Sequence, residues 1–165
     1  MDPVSEIPIL IRQAGMPDFD AIVRLVTELH HQHYLLAPHI FIEPDVNASR
    51  QYCLKYLNQK QHFLLVAERK DEIVGLLAIC IHRSAENFML RVDPIGYISL
   101  LIVQQNYRRI GVGKRLIIAA EKWLIDHRIG EMRLEVLEMN TDARHFYNSL
   151  GFINQSRQLS KFVMI

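Results

Sequence analysis

The sequence is short of the features that would assign its class at a glance. Only two cysteines, Cys53 and Cys80, occur in 165 residues, far apart and with no CxxC spacing. A disulfide scaffold or thiolate zinc site is thereby excluded, and each cysteine reads as a small buried hydrophobe. An excess of one charge is missing too: 19 Lys and Arg stand against 18 Asp and Glu. Proteins that hold nucleic acid through their bulk field carry a basic domain or stripe, so any cation-dependent chemistry here must be local. No apolar run approaches the ~18 residues a membrane-spanning helix requires. The opening "MDPVSEIPILIRQ" brings acid and proline rather than a basic n-region. These absences predict a cytoplasmic protein whose partners include neither nucleic acid nor membrane.

The composition that remains is globular, half hydrophobic and 22% charged, which is too apolar for a disordered chain. No repeat, low-complexity tract or linker divides it, so one domain over residues 1–165 is expected. "ILIRQA" from Ile9 is a strand candidate. Phe19, Ile22, Leu25, Val26 and Leu29 then fall at helical spacing behind an acidic start. Pro38 and Pro44 punctuate the next stretch, and a second helix is expected after Asn47. "HFLLVAE" and "IVGLLAICIH" flank "RKDE" as the arms of an antiparallel hairpin. "ENFMLRVDP" reads as a loop and "IGYISLLIV" as a buried central strand.

Val112, Leu116, Ala120 and Leu124 mark another helix, ending near Gly130, and "MRLEVLE" another strand. Asn140 or Thr141 caps a short helix that Gly151 stops. "GFINQSRQLSKFVMI" is expected to supply one or two final strands. The order predicts an α/β (α+β) three-layer domain with a mixed, mostly antiparallel sheet flanked by helices.

One stretch carries the chemistry: "NYRRIGVGKRLI", between the central strand and the amphipathic helix. A Walker-type loop would need glycine at Arg108 and Ser or Thr at Arg115. A dinucleotide fingerprint read from Gly111 would need a small residue at Leu116. Neither pattern is met, which leaves Arg108-x-x-Gly111-x-Gly113. Glycines free consecutive amides to point into one hollow, and a helix N-terminus favours an anion there.

"LLIVQQNYRRIGVGKRLI" resembles the acetyl-CoA signature of the GNAT family of N-acetyltransferases, apart from Gln105 where the family often has proline. "LEVLEMNTDARHFYNSLGF" resembles the family's second motif through Asn140, Ala143, Phe146, Tyr147, Gly151 and Phe152. Together the two cover about Ile98 to Phe152. The resemblance implies a splayed pair of central strands with acetyl-CoA between them. Cofactor contacts would come from Leu101, Ile102 and Val103, from Arg108, Arg109, Ile110, Gly111, Val112, Gly113 and Lys114, and from Asn140 and Tyr147. No metal is implied.

Tyr147 would protonate the departing thiolate, as tyrosines at this place do in the family. Glu135 and Glu138 are both candidates for the base, reached directly or through water. Glu135, twelve residues before Tyr147, resembles the glutamate of the Leu-Glu-Val strand in ribosomal-protein α-amino acetyltransferases. The preceding strand offers Tyr97 and Ser99 but no carboxylate.

"LHHQHY" invites a metal reading, yet His30 and His31 project about 100° apart on a helix and no further ligand completes a site. By the family's architecture, His33 and Tyr34 would instead line the acceptor pocket. No acidic run accompanies them. The implied activity is acetyl transfer to a small-molecule or protein amine by direct attack in a ternary complex, from a monomer or homodimer. No cysteine lies in either motif. The rival is a non-catalytic acyl-CoA sensor.

Overall fold

The computed structural model describes residues 8–59, 61–83, 89 and 93–163. It divides into a unit of residues Met1–Glu135 and a second of Val136–Ile165. The expected loop "ENFMLRVDP" falls largely outside the described residues.

The first unit is built on a five-stranded sheet in sequential order: β1 (Leu10–Gln13), β2 (His62–Arg69), β3 (Glu72–His82), β4 (Ile95–Val103) and β5 (Met132–Leu134). The first three pairings are antiparallel and β4–β5 is parallel. The β2–β3 hairpin turns at Lys70 and Asp71, both with positive φ (51° and 61°), the twist that a two-residue hairpin prefers.

Two helices, α1 (Phe19–Leu36) and α2 (Val46–Asn58), pack on one face of the sheet. Ile22, Leu25 and Val26 of α1 and Cys53 of α2 meet Leu64, Val66, Leu76, Ala78 and Ile102 there. Each such side chain contributes roughly 1.5–3 kcal/mol on burial. The other face takes α3 (Val112–Asp126). Phe63 stacks on Trp123 with centroids 4.8 Å apart. Gly75 lies under Val112 and Leu116, and Gly96 under Leu124. The unit is therefore a three-layer α/β arrangement, as the element order predicts.

In the second unit α4 (Thr141–Ser149) is capped by Asn140, whose Oδ1 accepts from the Ala143 amide at 3.2 Å. Gly151, at φ 89°, ends it, and the Phe152 amide returns to the Tyr147 carbonyl at 3.1 Å. The expected terminal strands are absent from residues 152–163. Ile153, Leu159, Phe162 and Val163 are 76–90% exposed, so their apolar surface gains nothing from a ladder. The intervening Asn154 to Arg157 run has no apolar alternation to hold one. No helix among the described residues is long and apolar enough to cross a membrane.

Candidate active site

The site begins where β4 loses a neighbour. Strand β5 pairs only with Gly96, Tyr97 and Ile98, so beyond Ile98 and Leu134 the two strands part. On its other edge β4 carries an irregularity opposite Ala78 and Ile79, which places Ser99 out of register. The Gln104 amide donates to Val74 on β3 at 2.9 Å. By alternation, Ile102 also turns its peptide group to β3, while Leu101 and Val103 turn theirs to the open edge. Of the three expected backbone contacts, Leu101 and Val103 are thus presented. Ile102 is committed to the sheet, with its side chain in the core at 3% exposure.

At the end of that edge comes the glycine loop. Gly111 is the N-cap of α3 at φ 88°, and a Cβ there would meet nothing within 4 Å. Its requirement is therefore left-handed backbone and not space. Arg109 is left-handed as well, at φ 63°. The first-turn amides of a fifteen-residue helix and the exposed Lys114 form a cradle that could hold an anion. Arg108 folds back: its Nε donates to the Val103 carbonyl at 2.8 Å, and its guanidinium lies 3.8 Å from Glu28 of α1. Ile110 is exposed, and Val112 is buried against the sheet, where it anchors the start of α3. Leu101, Val103, Gly111 and the α3 amides fit an extended arm that ends in a pyrophosphate.

Beside the blind end of the gap, on the α1/α2 face, the register aligns a row of side chains. His62 stands opposite Cys80, and Cys80 opposite Tyr97. The Tyr56 ring of α2 packs, tilted by 39°, against His62 at 4.1 Å and against Tyr52 at 4.5 Å. The Cys80 thiol donates to the Tyr97 carbonyl at 3.7 Å. Burial raises the Tyr97 phenol above its ordinary value, and the nearby Glu135 charge raises it further. Burial pushes the Cys53 thiol up to about 11 and also raises Cys80, so both are free thiols rather than thiolates. The His62 imidazole is held below its usual value by burial and by Lys55, and its Nδ1 is enclosed with no hydrogen-bond partner.

Sequence reasoning missed Tyr56 and His62. Their signal was available only as strand alternation, and it needs the β2–β3–β4 register before it becomes a row. Glu28, the partner of Arg108, left no sequence signal.

The second unit carries the remaining candidates. Tyr147 is flanked by Phe146 and Phe152, at centroid distances of 5.3 and 5.5 Å. Burial pushes its phenol up to about 12. Glu138 is engaged with Arg144 at 3.1 Å. Asn140 spends its side-chain oxygen on the α4 cap.

Back in the first unit, His33 stacks on Phe41 at 5.0 Å and pins the chain that follows α1. Burial, aided by His30, lowers its basicity. Tyr34 is half-buried on the same helix. Among the described residues no three His, Cys, Asp or Glu side chains gather as a metal site would.

Comparison with known proteins gives this geometry a context. The model of the acetyltransferase (GNAT) family matches residues 24–152. An N-alpha-acetyltransferase of Sulfurisphaera tokodaii is 26% identical over 86% of this chain and 78% of its own length. Other curated relatives are longer: the chain spans 56% of the N-alpha-acetyltransferase 30 of Dictyostelium discoideum. Among solved structures, a tetramutant of the BH1408 protein of Bacillus halodurans superposes with a TM-score of 0.87. It shares 22% identity and covers 93% of this chain and 99% of that one. The aminoglycoside acetyltransferase AAC(6')-Iy, bound to a bisubstrate analogue of CoA, gives 0.72 at 20% identity over 96% and 99%. At these identities the structures speak for the fold.

Proposed function

The chain belongs to the GNAT acetyltransferase family and is an acetyl-CoA-dependent acetyltransferase. From that premise we propose that it acetylates a primary amine by direct attack within a ternary complex. The observation that carries the reading is the coincidence of β4's open edge with the left-handed Gly111 cradle at its end. From Val103 back to Ser99 that edge runs about 14 Å, at ~3.4 Å per residue. An acyl-CoA arm seated along it brings its thioester to the point where β4 and β5 converge.

Acetyl-CoA supplies the activated acyl carbon, and the chain's groups do the rest. Leu101 and Val103 offer backbone hydrogen bonds to the arm, and an amide on this edge polarises the acyl carbonyl. Glu135, next to the parting point, takes the proton that the acceptor ammonium must lose, with Glu138 the alternative. As the C–N bond forms and the C–S bond breaks, Tyr147 gives a proton to the sulfur. The acceptor is a small-molecule or a protein or peptide amine. The N-alpha-acetyltransferase relatives favour an α-amine, and the aminoglycoside acetyltransferases among the structural neighbours favour a small molecule.

The test is CoA-thiol release across a panel of amines, wild type against Tyr147→Phe, with a thermal melt alongside. Acetyl-CoA at 100 times its dissociation constant should add about 2.7 kcal/mol. Turnover of an amine that collapses in Tyr147→Phe supports the reading. Stabilisation by acetyl-CoA with no amine turned over supports an acyl-CoA sensor instead, and no stabilisation at all overturns both.

A further inference from the structure

The row on the α1/α2 face has a chemistry of its own. The helix that bears the cradle and the row lie on opposite faces of the sheet. The cradle belongs to α3, which packs on the face of Phe63, Gly75 and Gly96. His62, Cys80 and Tyr97 point to the other face, because cross-strand partners share a side and Cys80 alternates with the core residue Ala78. The two faces communicate where β4 and β5 part, beside Glu135. An acceptor approaching from the α2 side therefore meets the row before it meets the acyl group.

Charge along the row is graded. Glu135 lies close enough to Tyr97 to raise its phenol. Arg133, the register partner of Tyr97, is already tied to Glu131 at 2.6 and 3.0 Å. Moving outward come neutral groups: the Tyr97 phenol, the Cys80 thiol, the Tyr56 ring and the uncharged His62 imidazole. At the far side Lys55 bears on His62. Two strand spacings separate His62 from Tyr97, about 10 Å. Along that span Glu135 can receive an ammonium, with aromatic surface beside it and a cation beyond. The Nδ1 of His62 is enclosed and has no hydrogen-bond partner among the described residues.

We propose that this row is the acceptor seat, and that it selects a primary amine carrying a single positive charge next to an uncharged apolar or aromatic group. The ammonium sits toward Glu135 and Tyr97, the apolar group lies on Tyr56 and Cys80, and His62 Nδ1 hydrogen-bonds a polar atom behind it. Polyamines and aminoglycosides are rejected because a second ammonium would be carried away from Glu135 and toward the cation of Lys55. This rests on the transferase reading and names its acceptor class.

The experiment compares kcat/KM, by CoA-thiol release, for two probes. One is a short peptide with a free α-amine on an aromatic first residue, and the other is an aminoglycoside. The wild type should favour the peptide. Lys55→Glu reverses an exposed charge on α2 and should shift the preference toward the aminoglycoside by roughly tenfold. His62→Phe keeps a ring against Tyr56 but deletes Nδ1. It should raise the peptide's KM roughly tenfold, with the KM for acetyl-CoA unchanged.

A wild type that prefers the aminoglycoside overturns the seat while leaving the transferase intact, as does a Lys55→Glu preference that stays put. An acceptor KM unmoved in His62→Phe removes His62 from the seat. Failure of every amine, with acetyl-CoA still stabilising the fold, overturns the transferase reading and this one together.

Discussion

Arg108 donates from Nε to the carbonyl of Val103 at 2.8 Å, joining the glycine loop to the end of the strand that precedes it. Its guanidinium also faces Glu28 at 3.8 Å. The side chain therefore sets the angle at which the cradle leaves the open edge of β4, in addition to bringing positive charge to it. Both partners are partly exposed, so Arg108→Ala should cost little stability. It should raise the KM for acetyl-CoA roughly tenfold, the scale of one charge-assisted hydrogen bond, with kcat nearly unchanged. Lysine should not rescue it, because an ammonium lacks the guanidinium fork that reaches both groups. Steady-state kinetics of the two variants checks this, and a fall confined to kcat would remove Arg108 from the loop's support.

Two glycines should fail in opposite ways. A Cβ on Gly96 would lie 2.5 Å from both methyls of Leu124, which is 3% exposed and has no room to withdraw. Gly96→Ala should lose about 1–3 kcal/mol by overpacking, with acetyl-CoA affinity preserved. Gly111 has open space around it but sits at φ 88°. Gly111→Ala should cost about 1–2 kcal/mol of backbone strain. Its larger effect should be on acetyl-CoA, because relaxation toward negative φ turns the cradle's amides away. Melting curves with and without acetyl-CoA separate the two.

Acid sensitivity should centre on Asp18, which is 7% exposed. Arg12 grips both its oxygens at 2.8 Å, and the Gly15 amide adds a bond at 2.9 Å. Hydrogen bonding from Arg12 holds the carboxyl below the usual aspartate range, against the opposing effect of its burial. A carboxyl whose folded pKa is depressed contributes stability that is complete above its unfolded value near 3.9. That stability is lost as pH falls through the folded pKa. Wild type should weaken through that window, and Asp18→Asn should be flatter there. At neutral pH the variant should be less stable by about 1–2 kcal/mol, a figure kept small because Arg12 is partly exposed and retains Glu68. Urea titrations at neutral and acid pH test it.

How much of this could be read from the chain alone follows from the range of each signal. The glycine turn into α3 was legible because Gly111, Gly113 and the apolar face of α3 are contiguous and obey local rules. The caps of α4 were legible for the same reason, since Asn140 and Gly151 act within a turn. The hairpin at Lys70–Asp71 announced itself by two β-rich runs. Among the described residues 152–163 no terminal strand forms although Phe162 and Val163 are apolar, because a strand depends on a partner edge that propensity cannot supply. The row from Tyr56 to Tyr97 was invisible for the converse reason: its members belong to four different elements and meet only through register. Even Glu135, picked out by its motif, acquired a neighbour in Tyr97 only when β5 was set beside β4.

The base should matter in proportion to the acceptor's basicity. Freeing an amine of pKa about 10.4 at pH 7 costs roughly 4.6 kcal/mol, whereas an α-amine near 8 costs roughly 1.4. Glu135→Gln should therefore depress kcat/KM far more for a lysine-like amine than for an α-amine, and the gap should narrow as pH rises. Rates for the two amines between neutral and alkaline pH give the comparison. An equal loss for both, independent of pH, would make Glu135 a binding group and direct the search for the base to Glu138.

Tyr147 presents a conflict that kinetics can resolve. Burial among Phe146, Phe152 and their surroundings pushes its phenol up to about 12, so it holds its proton throughout the working range. The same shift makes it a reluctant donor. Handing that proton completely to a thiolate of ordinary pKa, near 8.5, is uphill by roughly 5 kcal/mol. In the proposed reaction it would therefore act as a hydrogen-bond donor to sulfur while the C–S bond breaks, completing the transfer only as charge builds there. Tyr147→Phe should lower kcat by about 10²–10³, leaving the KM for acetyl-CoA within a few-fold. The wild-type kcat should show no alkaline fall at pH 10, where an ordinary tyrosine ionises. An alkaline limb near 10 that disappears in Tyr147→Phe would mean the phenol titrates normally in the complex, and burial would then not set its role.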